Sequence, residues 1–395
     1  MFVRTEFPEG TEMRKIAMTL VLAAGLLASG AVAAHAGTVS TVYVSPSGTS
    51  GAADTWCGSA GYSSINAAVA AVSPGGTVVV CPGTYDTQVI VSKPLNLIGR
   101  HGAVIDAKGQ PALTIGGMKL PGSLGIGVLA TKDVRVSGFQ VTGAGFDAIL
   151  VGLSTNVSVS HNVLEHNGDV GVDINGSSWS QATSNVSEYN AGGGFLVADD
   201  IGAASHNTVS WNIASDNPGG CGVIVAGHST HGVTYTLVQG NLLTYNGTLK
   251  SSGGGAGVVI ATEVPGETVA DNTVVGNTIY GNGLSGVTIH AHLPGQNLNG
   301  NVISGNWIGV NNTLGDPIGL TTSPTSMTNV AKADTKTTGI LVGSASPIKV
   351  RISRNYIDGD HYGIFLEGVG NVVQAWLRGN QFCDVTTPVV RVVVS

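Results

Sequence analysis

Asn185-Val-Ser-Glu-Tyr-Asn190-Ala-Gly-Gly-Gly194-Phe-Leu-Val197 carries the pattern that decides the fold. Two asparagines stand five residues apart, and a glycine soon afterwards opens an alternating apolar run. The pair recurs as Asn162/Asn167, Asn212/Asn217, Asn241/Asn246, Asn277/Asn282 and Asn306/Asn311. Asn355 with Asp360 continues it, and Asn380 opens a last copy. Successive first asparagines are 23, 27, 29, 36, 29, 49 and 25 residues apart, so the copies share a floor and the excess is loop. A period in this range marks a stacked repeat. The runs are rich in Val, Ile and Thr, alternate with period two and show no helical spacing. Three such runs per turn, with Gly and Asn at the corners, predict an all-β, single-stranded right-handed parallel β-helix, a solenoid. Each strand then pairs with its equivalent one rung away, about 4.8 Å along the axis. Asn suits the corners because it tolerates left-handed backbone angles and its amides can hydrogen-bond up a ladder. A leucine-rich repeat competes, but its fixed leucines and helical segments are missing.

A solenoid grows in one dimension, so 395 residues can form a single unit, expected here over residues 37–395. Glycine accounts for 59 residues, about twice the usual share, and charged residues for only 10%. The formal charge of −7, without any basic stripe, argues against a nucleic-acid partner.

Residues 1–36 read as an export signal: Arg14-Lys15, an uncharged apolar run from Ile16 to Ala31, then Ala34-His35-Ala36 with cleavage after Ala36. Met13 competes with Met1 as the start. The expectation is a secreted monomer with no membrane contact once the signal is removed. Residues 37–105 hold the N-terminal cap and first coils. Ser63-Ser64 followed by apolar residues at 65, 68, 69 and 72 predicts a short helix that plugs the open end of the barrel. Cys57 and Cys81 share this cap, and export makes a disulfide between them the expectation. Cys221 and Cys383 lie rungs apart and read as buried small hydrophobes. Gly247–Ala256 is expected to be a flexible flap and 312–338 a surface-loop insertion. Val389–Ser395 reads as a final, uncapped strand.

The repeat Asn355-x-Ile-x-Gly-x-x-x-Gly-Ile-x-Leu366 resembles those of secreted right-handed β-helix proteins of the pectate-lyase-like superfamily, as do Tyr62–Val69, Pro74–Val80 and Pro82–Tyr85. The resemblance covers nearly all of the mature chain. It implies repeats of a carbohydrate-binding or sugar-hydrolysing type and an extended, uronate-containing polysaccharide as partner. It is specific for fold and weak for activity. The Arg-x-Pro-x-x-Arg of pectate lyases is absent. Asp199-Asp200 resembles the acid pair of polygalacturonases, but Gly227-His228 is followed by Ser229 where that family has Gly.

Aligning coils on the glycine that opens the third strand gives a column of Asp200, His228, Glu263 and His292, with Asp199 beside it. Asn175, Ala198, Ala226, Ala261, His290 and Glu367 form a neighbouring column, whose alanines leave room for a substrate. Three chemistries suit the first column. Asp200 and Glu263 can act as an acid/base pair for hydrolysis. His228 or His292 can take a proton in β-elimination, with an oxygen-ligated cation such as Ca²⁺ on Asp199, Asp200 or Glu263. His228, Glu263 and His292 can bind a transition metal, as in an envelope metal-handling protein. Against all three stands a solvated turn column on a non-catalytic surface or adhesion protein. His231 extends the column loop. Asp173 breaks an apolar strand, either as a hydrogen-bonded buried carboxyl or as an inward-facing acid. His161, His166 and His206 read as turn or stacking residues. Trp179, Trp211, Trp307 and Trp376 can stack on sugar rings, though burial is the commoner use of such residues.

Overall fold

The computed structural model describes residues 40–50, 53–115, 118–291, 293, 295–314, 336–370 and 372–394. The proposed signal, His292 and most of the 312–338 insertion therefore lie outside the described residues. Three sheets run the length of the molecule. Sheet 1 has twelve strands, from Thr41–Val44 to Val373–Arg378. Sheet 2 has eleven, from Gly83–Asp86 to Gln381–Cys383, and sheet 3 eleven, from Val89–Val91 to Thr387–Val394. Within each, every strand pairs in parallel with its equivalent one coil away. The interior is one continuous apolar cluster, in which Phe139, Phe195, Leu97 and Ile149 are fully buried.

The corners explain the asparagines. Along one corner the amide oxygens of Asn185, Asn212, Asn241, Asn277 and Asn306 each accept the backbone N–H and the amide of the asparagine one rung before. The pattern continues to Asn355 and Asn380. A second ladder climbs from Asn167 through Asn190 and Asn217 to Asn246, Asn282 and Asn311. The left-handed residue is not the asparagine itself. It is the one before it: His161 (φ 56°), Ser184 (φ 55°) and Trp211 (φ 57°) on the first corner, His166 (φ 59°) and Tyr189 (φ 57°) on the second. The asparagine turns inward to pair, and the exposed residue ahead of it bears the backbone cost.

The helix Ile65–Ala71 forms as expected, with the Ser64 hydroxyl accepting the Ala67 N–H at 3.3 Å and Ile65, Ala68 and Val69 buried over the first coil. Cys57 and Cys81 are disulfide-bonded, with Cα atoms 5.6 Å apart. Cys221 is buried, but Cys383 is only half-buried, in the end strand of sheet 2 among the described residues. The Gly247–Ala256 segment is no loose flap. It contains a one-turn helix at Lys250–Ser252 and is pinned by Leu249 N–H to Pro218 O (2.9 Å) and Gly255 N–H to Gly247 O (3.2 Å). No helix among the described residues is long and apolar enough to cross a membrane.

Asp360 closes the second ladder. Its Oδ1 accepts the Asn311 N–H at 3.0 Å, as an asparagine's oxygen would. Its Oδ2 lies beside Gly339, where Asn246, Asn282 and Asn311 place their amide nitrogens beside Gly222, Gly257 and Gly286. Those nitrogens donate to carbonyls, for example Asn282 Nδ2 to Leu243 O at 3.1 Å. The Asp360 oxygen is buried and has no hydrogen-bond partner among the described residues. A carboxyl can fill that place only as the protonated acid, and burial pushes Asp360 up to about 8. The unfolded carboxyl releases its proton near pH 4. The native state thus holds an extra proton between about pH 4 and pH 8, so stability falls as pH rises through that window. Asp360→Asn is expected to flatten this decline and to raise urea stability at pH 8 by about 1–2 kcal/mol. Equal slopes for the two proteins would refute the assignment. Reducing the Cys57–Cys81 bond is expected to cost about 3 kcal/mol, read in the same unfolding assay.

Candidate active site at the loop edge of sheet 3

The predicted columns match the observed register. Asn175, Ala198, Ala226, Ala261 and His290 are successive rung partners at the ends of the sheet 3 strands. Two residues further on, Asp200, His228 and Glu263 leave the sheet into the loops that lead back to sheet 1. The alanine column is not an open track. Ala198, Ala226 and Ala261 are buried, the latter two packed with Cys221, Ile224, Ala256 and Val259 on the outer face of the sheet.

Asp199 and Asp200, adjacent in sequence, have different fates. Asp199 is fully buried. Its Oδ1 accepts the N–H groups of His228 (2.8 Å) and Ser229 (3.0 Å), and its Oδ2 accepts Gly232 N–H (2.7 Å) and the Ser229 hydroxyl (2.9 Å). This carboxylate shapes the loop of the next coil, and its oxygens are occupied. Ser229, standing where the polygalacturonase pattern has Gly, is part of the same arrangement, and its hydroxyl lies 2.7 Å from His231 Nδ1. Asp200 points the other way. Its Oδ1 lies 3.0 Å from His228 Nδ1, and its Oδ2 accepts the Asn175 amide at 2.7 Å. The side chains of Asp200 and His228 are 18% and 29% exposed, so the pair can be reached from solvent.

A second loop is held in a comparable way. The buried Glu267 accepts the N–H groups of Glu263 and Val264, the latter at 3.0 Å, while its other oxygen has no partner among the described residues. Gly227 makes this possible, since a β-carbon there would come within 2.1 Å of that oxygen. Burial raises Glu267 to about 8, so it is a protonated acid at neutral pH.

Around the ion pair lies a group of carboxyls. Asp173 is on the outer face of sheet 3, in register with Leu150 and Leu196, and not in the interior. It is buried, and its Oδ2 accepts the Asn175 amide at 3.2 Å. Asp147 is fully buried, and Asp169 is half-buried at the entry of the strand Val170–Asn175. Both oxygens of Asp147 and one of Asp173 have no hydrogen-bond partner among the described residues. Burial, and then the other carboxylates, hold Asp147 and Asp173 well above the usual carboxylate range. Burial lifts Asp169 to about 6 against the pull of His228. In Asp200, burial is outweighed by the His228 charge and hydrogen bond and by the Asn175 amide, so its carboxyl sits below the usual range. His228 is raised to about 10: burial opposes its charge, but Asp200, and then Glu263 and Asp199, overcome it. At neutral pH the centre is therefore an imidazolium–carboxylate pair beside neutral, buried acids.

The unpartnered oxygens are hard donors of the kind Ca²⁺ takes, but Ca²⁺ needs six to eight of them around one point. Among the described residues, only Asp358, Cys383 and Asp384 on sheet 2 bring three ionisable ligand atoms within 4.8 Å of one another. The Asp147–Asp173 cluster forms no such group and fits protons better than a resident cation.

Asp199, Asp200 and His228 thus lie together, with Asp199 in a supporting position, and Glu263 stands one rung on, its backbone N–H held by Glu267. His161, His166 and His206 sit at left-handed corners. His166 stacks on Tyr189, and His206 between Trp179 and Tyr235. Trp179, Trp211, Trp307 and Trp376 are all exposed. Asp147, Asp169 and Glu267 escaped the sequence reading. The signal for the first two was an acid set directly before an apolar strand, as in Asp147-Ala-Ile-Leu and Asp169-Val-Gly-Val. Asp200→Asn is expected to bring the His228 titration, followed by NMR, from about 10 towards the ordinary value of about 6.5. An unmoved titration would mean the pair does not form in solution. Asp199→Ala strands three backbone donors and is expected to cost about 3 kcal/mol in chemical unfolding.

Residues 98–243 match the family model described as a right handed beta helix region. No curated protein sequence gives a significant match. Among solved structures, the A-module of mannuronan C-5 epimerase AlgE4 from Azotobacter vinelandii aligns with a TM-score of 0.54 at 17% identity, over 81% of this chain and 91% of its own. The Agl-KA catalytic domain aligns with a TM-score of 0.50 at 13% identity, over 82% of this chain and 64% of its own. PfbA, a surface adhesin of Streptococcus pneumoniae, gives 0.49 at 14% identity, over 82% and 87%. At such identities the likeness is one of fold. Three parallel sheets, one capping helix and the matched repeat region make the chain a right-handed parallel β-helix.

Proposed function

We propose that the chain binds an extended polysaccharide along the outer face of sheet 3 and hydrolyses it at the Asp200–His228 pair. The observation that carries this reading is the pair itself: a solvent-reachable imidazole bound to a carboxylate at 3.0 Å, with Glu263 one rung on and Asp169 titrating nearby. Two structural relatives named as an epimerase and as a catalytic domain make an enzyme of this fold reasonable.

The protonation states favour hydrolysis over elimination. With a proton affinity near 10, His228 is already charged at neutral pH and cannot serve there as the base that β-elimination needs. It serves as a fixed positive charge towards the developing negative charge on the leaving oxygen. The imidazolium gives its proton to that oxygen as it leaves, and Glu263, one rung on from His228, is the carboxylate that activates water. The uronate preference implied by the resemblance is part of the proposal with one condition. Asp200 and Glu263 outweigh the single imidazolium, so a polyuronate must bring a cation with it, whereas a neutral glycan need not. Export belongs to the same reading and is supported by the disulfide, since such bonds persist in oxidising compartments.

The test is a panel of pectate, alginate, hyaluronan and neutral glycans, with and without Ca²⁺, assayed for reducing ends and for ultraviolet-absorbing unsaturated uronates. Reducing ends alone are expected, with His228→Ala lowering kcat by about 100-fold or more and leaving the unfolding midpoint nearly unchanged. Unsaturated products would replace hydrolysis by elimination. Undiminished cleavage by His228→Ala would place the chemistry elsewhere, and binding without cleavage would leave a lectin-like or adhesive role. N-terminal sequencing of exported protein is expected to begin at Gly37.

A further inference from the structure

A separate constellation lies on sheet 2. Ile308 pairs with Ile279 on one side and Ile357 on the other, so the next residue, Gly309, sits between Tyr280 and Asp358 on the outward face. The missing side chain leaves a gap, and Trp307 packs into its edge. A β-carbon on Gly309 would come within 3.1 Å of both the indole Cη2 and Tyr280 Cβ. Tyr245 lies in the same way against Gly281, where a β-carbon would reach its ring at 2.6 Å. Tyr280 stands upright between them, at 85° to Tyr245 and 80° to Trp307, with ring centroids 5.6 and 5.9 Å away. The result is an open niche of about 390 Å³ walled by these three rings, with Thr313 and the Asp358 carboxylate at its polar rim. Tyr245 and Trp307 remain 48% and 40% exposed.

The other aromatic row on the surface shows what is unusual here. Trp179, His206 and Tyr235 stack nearly parallel, at 4.1 and 4.9 Å, and spend their ring faces on one another. In the niche the rings meet edge to face, which leaves ring faces to a ligand. A sugar ring matches such a surface: its C–H face packs on an aromatic plane, while its hydroxyls donate to a carboxylate and exchange hydrogen bonds with a threonine. Asp358 sets the charge. With Asp384 close by, it repels a uronate and accepts from a neutral sugar.

We propose that Tyr245, Tyr280, Trp307 and Asp358 form a second saccharide-binding site, which takes a neutral pyranose unit of a glycan chain on a different face from the Asp200–His228 pair. The inference stands on the niche alone and does not rest on the cleavage reading. It is tested by calorimetric titration of the full chain with cellohexaose, laminarihexaose and maltohexaose, with hexagalacturonate as the charged control. Asp200→Asn protein is used wherever a probe is consumed. At least one neutral hexasaccharide is expected to bind, with affinity lowered about tenfold by Trp307→Ala and lowered again by Gly309→Ala, which pushes the indole out of place. Trp179→Ala is the control and is expected to change nothing. Circular dichroism identifies any variant that fails to fold, and Asp358→Ala then provides the second independent loss. The proposal is overturned if no neutral hexasaccharide binds, if Trp307→Ala and Asp358→Ala bind as well as the parent, or if hexagalacturonate binds more tightly than every neutral probe. Cleavage lost in Asp200→Asn with binding intact, or the reverse in Trp307→Ala, separates this site from the catalytic one.

Discussion

The stacked asparagine amide is the interaction on which everything else depends. A parallel β-helix must bring its backbone round tight corners without leaving buried polar groups unpaired, and each such group costs about 1–3 kcal/mol. Here an asparagine oxygen takes the backbone N–H and the amide of the rung before, and its own amide goes on to the next oxygen. The amide's second hydrogen reaches a carbonyl, as Asn241 does to Val209 O at 2.9 Å. A bond of this kind repeats only if every corner has the same shape. The ladder therefore fixes the register of all three sheets, and the register turns residues far apart in sequence into columns. Asp200 and His228 are 28 residues apart and hydrogen-bonded because the corners between them are alike.

The two asparagine corners fix the coil, and the third corner is where the coils differ. Loops leave sheet 3 there with different lengths, and each is shaped by a buried polar side chain. Asp199 holds the loop around His228 and Ser229, Glu267 the one around Glu263 and Val264, and Gln296 the next, accepting Leu293 N–H at 2.7 Å. These anchors place the functional side chains of a loop with the precision of a strand. They also account for why the family-like acid pair Asp199-Asp200 is split in function.

The columns were legible in the sequence because they depend only on counting from a repeated glycine, and counting survives any loop length. What counting cannot supply is the direction of a side chain after the strand ends. Nothing in the letters separates Asp199 from Asp200, and nothing predicts that the alanine column is buried in an apolar cluster on the outer face of the sheet. Asp147 and Asp169 were missed because each stands at a strand entry, whereas the columns were read at strand exits. The left-handed residue was placed one position late, on the asparagine, because Asn is the common occupant of that conformation. Here the amide is needed inside, and His161, Ser184 and Trp211 take the strain instead. The direction of the His228 shift could not be read either, since it rests on a 3.0 Å contact between coils.

Charge explains why so acidic a centre can exist on a protein with a net charge of −7. Four carboxyls and one imidazole cannot all ionise in a space this dry, and the hydrogen bonds choose which do. Asp200 has both a cation and an amide donor, so it takes the charge. Asp173 has one amide donor and a bare oxygen, Asp147 two bare oxygens, and they keep their protons. Asp169, half-exposed, falls between and titrates near 6. The same rule applies at Glu267 and Asp360, each with one oxygen satisfied by backbone N–H groups and the other bare. Buried acids in this solenoid are thus of two kinds. Those with donors at both oxygens are anchors of a loop or members of the ion pair. Those with a bare oxygen hold a proton, and at Asp360 the protonated acid stands in for a ladder asparagine.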